Sequence, residues 1–137
     1  MKSRKAIAIR SLLLGTLLLL AGIVTGGCGP EEGGVYRVSW NVNQGGESSS
    51  CREAGARTVG VVFREVGVET SNESKFSFGC EDLEGETGIL PVGYYTIEAT
   101  LYSDNKTALD TAGPFAVDPI LVDGAVVTLP AIFFAVE

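Results

Sequence analysis

Apolar and polar residues alternate with a period of two over most of the chain after Gly34, which is the pattern of half-buried β-strands. Turn residues such as Gln44-Gly45-Gly46 and Asp123-Gly124 separate the alternating segments. About seven short strands with regular turns predict an all-β fold, a single antiparallel β-sandwich. The alternating segments are residues 35–42, 58–66, 75–80, 94–102, 109–117, 125–129 and 132–136.

The same alternation predicts which side chains fill the core and which face outward. On the outward face of the strand at residues 94–102 lie Tyr94 and Tyr102. Their aromatic rings could stack on sugars, although cross-strand packing is the simpler interpretation. Residues 43–50 are predicted to form a loop without bracing, and residues 51–56 one helical turn. The inward positions are Tyr36, Val38, Trp40, Val42, Val59, Val61, Phe63, Phe76, Phe78, Cys80, Tyr95, Ile97, Ala99, Leu101, Ile132, Phe134 and Val136.

The first 27 residues follow a different pattern. A basic start that ends at Arg10 precedes 17 uncharged residues, Ser11 to Gly27, which is the layout of a secretory signal peptide. As a helix this run measures about 26 Å, at ~1.5 Å per residue, whereas the hydrocarbon core of a bilayer is ~30 Å thick. Its last six residues also include three glycines. We therefore expect a cleaved signal and not a membrane-spanning helix.

Thr25-Gly26-Gly27-Cys28 resembles the lipobox of bacterial lipoproteins, although that family usually has leucine or another aliphatic residue in place of Thr25. The resemblance implies that the Cys28 thiol is diacylglycerated and that Cys28 becomes the first residue. It divides the chain into a signal peptide (1–27), a flexible polar tether (28–34) and a β-sandwich domain (35–137). The alternative is ordinary signal cleavage, which leaves Cys28 a plain cysteine.

The chain has three cysteines, and an exported protein with an odd number has one thiol to account for. A lipid on Cys28 leaves Cys51 and Cys80 to pair. If residues 58–66 and 75–80 are antiparallel neighbours, Cys51 and Cys80 lie at the same end of the sheet. In an oxidising compartment this predicts a Cys51–Cys80 disulfide, and the alternative is two buried free thiols.

Charge and composition exclude several functions. After residue 27 the chain has six basic and 17 acidic residues, a formal charge of −11, which opposes binding to nucleic acid. The sequence has no histidine, the commonest general base and metal ligand. The acidic segment Glu81–Glu86 fits no defined calcium-loop spacing. We therefore expect no enzymatic activity, no cofactor and no bound metal.

Leu90-Pro91-Val92-Gly93-Tyr94-Tyr95-Thr96-Ile97 resembles the strand entry of prealbumin-like sandwiches, including Cna-B-type and carboxypeptidase-regulatory-like domains. The resemblance implies an Ig-like or prealbumin-like sandwich and is nearly silent on function. Cna-B-type domains often carry a Lys–Asn isopeptide bond. Residues 35–42 contain no lysine and residues 131–136 no asparagine, so this cross-link is not expected.

We therefore expect an exported lipoprotein whose sandwich is a non-catalytic binding or structural module of the bacterial cell envelope. Its partners would be the membrane, through the acyl anchor, and an unidentified envelope protein or glycan. Gly29 stands where some bacteria place an inner-membrane retention aspartate, which favours the outer membrane. The alternative is a soluble secreted or periplasmic sandwich that binds carbohydrate or inhibits a protein. A hydrolase has the least support.

Overall fold

The computed structural model describes residues 32–68 and 72–137; the predicted signal peptide and Cys28 lie outside these ranges. The described chain is all-β, with no α-helix and with one 3-10 turn at Cys80–Asp82. No helix in these ranges is long and apolar enough to cross a membrane. The strands are β1 (Val35–Gln44), β2 (Glu47–Ser49), β3 (Ala56–Glu65), β4 (Glu73–Gly79), β5 (Glu84–Glu86), β6 (Gly93–Ser103), β7 (Ala108–Ile120), β8 (Val126–Thr128) and β9 (Ile132–Val136).

The strands form two sheets. The second sheet is antiparallel throughout, in the order β4-β3-β6-β7. In the first sheet, β5 and β8 flank the first half of β1, and β2 and β9 flank its second half. Both β8 and β9 run parallel to β1, which departs from the predicted antiparallel sandwich. A period-two pattern reports which side chains are buried and carries no information on the direction of a neighbouring strand.

The inner faces of both sheets form one hydrophobic core, and the predicted inward positions are confirmed. Phe76 and Phe78 are partly buried against this core, and the other predicted positions are fully buried. The Tyr36 ring stacks on Phe63 with 4.8 Å between ring centroids, and the Tyr36 hydroxyl donates to the Asp118 carbonyl at 2.6 Å. Burial raises the pKa of Tyr36 to about 12, because the phenolate would be poorly solvated there.

Two of the strands were not predicted. Residues 47–49 lie in the segment expected to be an unbraced loop, and that prediction is wrong because they pair with β1 from Val42 to Gln44. Gly45 and Gly46 make the tight turn, with φ of +59° and +88°, a combination that glycine adopts without strain. Residues 84–86, which lie outside the predicted strands, also pair with β1. A strand of three residues is too short to show a full alternating pattern.

Gly85 on β5 allows the first sheet to approach Phe78. It lies opposite Val38, and a methyl group added to Gly85 would overlap the Phe78 ring. That ring stacks on Trp40 with 5.9 Å between centroids. The absence of a side chain at Gly85 therefore lets Phe78 pack between the sheets.

We expect Gly85→Ala to lower the free energy of unfolding by about 1–3 kcal/mol, because the added methyl group overpacks the space taken by Phe78. Gly88→Ala is the matched control, since a methyl group there would lie 3.5 Å from the Phe76 ring, an ordinary contact. Urea denaturation of both variants measures the difference. Equal stability of the two variants would contradict this account of Gly85.

Candidate functional site

The disulfide end of the sandwich is built by the pairing of β3 with β4. Thr58 lies opposite Gly79, which brings the segment before β3 next to the 3-10 turn that follows β4. Cys51 and Cys80 are bonded there, with 5.9 Å between their Cα atoms, and both are buried. The predicted disulfide and the strand pairing behind it are confirmed. The indole N–H of Trp40 donates to the Cys80 carbonyl at 2.9 Å and connects this bridge to the first sheet.

The acidic residues that follow Cys80 do not converge. Glu81 and Asp82 lie in the 3-10 turn, whereas Glu84 and Glu86 lie on β5. The Glu86 carboxylate is paired with the Arg37 guanidinium at 3.1 Å. Within residues 32–68 and 72–137, no group of three or more histidine, cysteine or acidic side chains is placed to hold a metal ion.

The outward face of β6 is packed across strands and does not form a continuous aromatic platform. The Tyr102 ring covers Gly60 on β3, where a methyl group would come within 2.9 Å of it. The hydroxyls of Thr100 and Thr111 lie 3.1 Å apart and share a hydrogen bond across β6 and β7. Tyr94 is 62% exposed and lies at the far end of the strand. The packing interpretation therefore accounts for Tyr102.

A shallow cleft lies on the outer face of the first sheet, between β5 and β8. Its floor is β1 around Arg37 and Ser39, with Glu84, Glu86 and Thr128 on its sides. The Arg37–Glu86 ion pair is more than half exposed, so water screens it and its contribution to stability is small. The cleft therefore offers hydrogen-bond donors and acceptors on an open sheet surface.

Farther along the same outer face, Phe133 on β9 is 65% exposed. It lies opposite Asn41 on β1, so an aromatic ring adjoins an amide on an open sheet surface. Phe133 was not predicted to be a site residue. The signal was present, because inward Ile132 and Phe134 require Phe133 to face outward.

The chain enters the sandwich at the end opposite the disulfide. The N–H of Gly34 donates to the Leu90 carbonyl at 2.9 Å, and the N–H of Gly124 donates to the Gly33 carbonyl at 2.7 Å. The predicted tether, residues 28–34, therefore joins the fold at Gly33. The Tyr95 hydroxyl donates to the Pro91 carbonyl at 2.6 Å and holds the loop that receives Gly34.

Three loops at this end expose aliphatic side chains around the point of chain entry. They are the β3–β4, β5–β6 and β7–β8 connections, and the exposed fractions range from 40% to 63%. The backbone N–H of Val66 donates to the Tyr94 carbonyl, which joins the β3–β4 loop to the start of β6, directly after the β5–β6 loop. We call this surface the apolar end and define it by Val66, Val68, Ile89, Val92, Leu121 and Val122.

The described surfaces thus comprise a disulfide-braced end, a shallow polar cleft with Phe133 beyond it, and the apolar end at the chain entry. Cys28, the predicted lipid attachment site, lies outside the described residues. Comparison of the chain with protein-family models, with curated proteins and with solved structures finds no match.

Proposed function

We propose that this protein is an exported bacterial lipoprotein, held in the cell envelope by acyl chains on Cys28, whose β-sandwich is a non-catalytic binding or structural module. The observation that carries the proposal is which two of the cysteines form the disulfide and which one remains. The chain has three, and the bridge joins Cys51 to Cys80. The third is the one that directly follows Thr25-Gly26-Gly27, the segment that resembles a lipobox.

Two features of the described fold support a binding module outside the cytoplasm. A buried disulfide suits an oxidising compartment such as the periplasm or the cell exterior. The outer face of the first sheet is open around Arg37 and Phe133, and it offers ion-pair, amide and aromatic contacts to a partner. With Gly29 after the acylated cysteine, we assign the protein to the outer membrane in preference to the inner. A prealbumin-like arrangement of the sandwich is part of the same proposal.

A second candidate function is a soluble periplasmic or secreted sandwich that binds carbohydrate. Phe133 favours it, because an exposed ring beside the Asn41 amide offers a stacking surface and hydrogen bonds to a sugar. This alternative predicts that the wild-type protein carries no acyl group and fractionates with soluble proteins.

In bacteria fed an alkyne fatty acid, we expect the wild-type protein to incorporate the label and to sediment with membranes. Cys28→Ala should carry no label, and it should either leave the membrane fraction or persist as a precursor with the mass of the uncut chain. Two acyl chains anchor a protein stably, and their attachment requires the thiol. Gel fluorescence and intact-mass spectrometry measure both results.

The double variant Cys51→Ala, Cys80→Ala is the control for this experiment, because it removes two cysteines and keeps the predicted lipobox. It should retain the label. Label that persists in Cys28→Ala would contradict attachment at Cys28. An unlabelled, soluble wild-type protein would favour the second candidate function.

A further inference from the structure

We infer that the apolar end of the sandwich rests on the bilayer, with its aliphatic side chains in the interfacial region of a lipid surface that is not anionic. The inference rests on the proposed function, because acylation of Cys28 places the membrane close to the domain. It adds an orientation: the apolar end faces the membrane, and the disulfide end faces away from it.

The position of chain entry supports this orientation. Gly33 is fixed to Gly124 by the hydrogen bond between them, so the chain toward Cys28 leaves from the apolar end. A methyl group on Gly33 would lie 3.2 Å from the Ile89 side chain, which places this aliphatic residue beside the exit. Gly33 follows Cys28 by five residue steps, and at ~3.6 Å per step their Cα atoms are at most about 18 Å apart. An acyl anchor at Cys28 therefore holds the apolar end close to the headgroups.

The exposure of the loops supports contact with lipid. Leu121 and Val122 are consecutive and each is 63% exposed, although Ile120, directly before them, is fully buried. Val66 is 55% exposed in the β3–β4 loop, at the same end of the sheet on the other side of β6. Clustered aliphatic side chains on a surface mark an interaction site, and an interface between lipid and water removes their apolar area from water.

The distribution of charge selects the kind of lipid. Among the described residues, Arg52, Arg57 and Lys106 lie in or beside the loops of the disulfide end. Arg37, Arg64 and Lys75 pair with glutamates along the strands. The described part of the apolar end thus carries no lysine or arginine, and Asp123 lies next to Val122. A surface without basic residues is not attracted to anionic headgroups. Zwitterionic phospholipid is therefore the lipid class that we expect it to contact.

Tryptophan fluorescence tests the inference in the full-length protein, purified from bacterial membranes and reconstituted into phosphatidylcholine vesicles with or without brominated acyl chains. Leu121→Trp and Val122→Trp place a reporter at the apolar end. Phe133→Trp is the matched control, since Phe133 is 65% exposed on a sheet face and Leu121 is 63% exposed. The natural Trp40 is 1% exposed and contributes the same background to every variant. Mass spectrometry of the same samples reports whether Cys28 carries acyl chains.

We expect bromine to reduce the emission of Leu121→Trp and Val122→Trp, and the emission to shift to shorter wavelength, while Phe133→Trp is unaffected. Reporters at 121 and 122 that are quenched no more than the one at 133 would overturn the inference. If Cys28 is acylated in that sample, the lack of quenching does not contradict the proposed function. Quenching without an acyl group would support the inference and overturn the proposed function. Stronger quenching in phosphatidylglycerol vesicles than in phosphatidylcholine vesicles would overturn the assignment of the lipid class.

Discussion

Replacing both Cys51 and Cys80 with alanine is expected to lower the free energy of unfolding by about 3–4 kcal/mol. The bridge joins residues 29 apart in sequence, and closing a loop of this length removes much of the conformational freedom of the unfolded chain. The loss is a large share of the ~5–15 kcal/mol that stabilises a typical domain. Because Cys51 and Cys80 are both buried, lost packing adds to the entropic effect.

Thermal and urea denaturation of the protein and of this double variant measure the loss. The unfolding temperature should fall by roughly 12–20 °C, given about 4–5 °C per kcal/mol for a domain of about 100 residues. Cys28→Ala is the control, because it removes a cysteine and leaves the bridge in place; its stability should match that of the wild type. A double variant as stable as this control would show that the bridge does not stabilise the fold.

Trp40→Ala is expected to cost about 3–5 kcal/mol, the usual loss for truncating a large buried aromatic side chain. Trp40 is 1% exposed, and its ring stacks on Phe78 from the second sheet. Its indole N–H also donates to the Cys80 carbonyl, so truncation leaves a buried acceptor without that partner. One side chain thus contributes to the core, to the contact between the sheets and to the surroundings of the disulfide.

Phe133→Ala is the matched control for Trp40→Ala, since it truncates an aromatic side chain of the same sheet that is 65% exposed. Its stability should stay within about 0.5 kcal/mol of the wild type. A third variant, Trp40→Phe, keeps an aromatic ring and removes the N–H, which isolates the hydrogen bond to Cys80 from the packing. If Trp40→Ala and Phe133→Ala lose equal stability in urea denaturation, the central place of Trp40 in the core is wrong.

The all-β class, the inward faces of β1, β3, β4, β6 and β9, and the Cys51–Cys80 bridge could be predicted from the sequence alone. The strand faces depend on local information, because successive side chains of a strand point to opposite faces and hydrophobic burial selects one of them. The alternation around Phe76 and Phe78 also placed Cys80 on the inner face, and the assumed antiparallel pairing of β3 with β4 placed it beside Cys51. The lipobox resemblance lies outside the described residues and stays a prediction.

Most of the long-range strand pairing could not be predicted from the sequence and became known from the tertiary structure. The parallel pairing of β8 and β9 with β1, the short strands β2 and β5, and the place of Gly85 against Phe78 depend on segments far apart in sequence. The apolar end is the clearest case. In the sequence, Val66, Ile89 and Leu121 are isolated aliphatic residues in separate loops. Isolated exposed aliphatic residues are common on protein surfaces and do not indicate an interaction site. They form a surface because antiparallel strands bring alternate loops to the same end of a sheet, where Gly33 also enters.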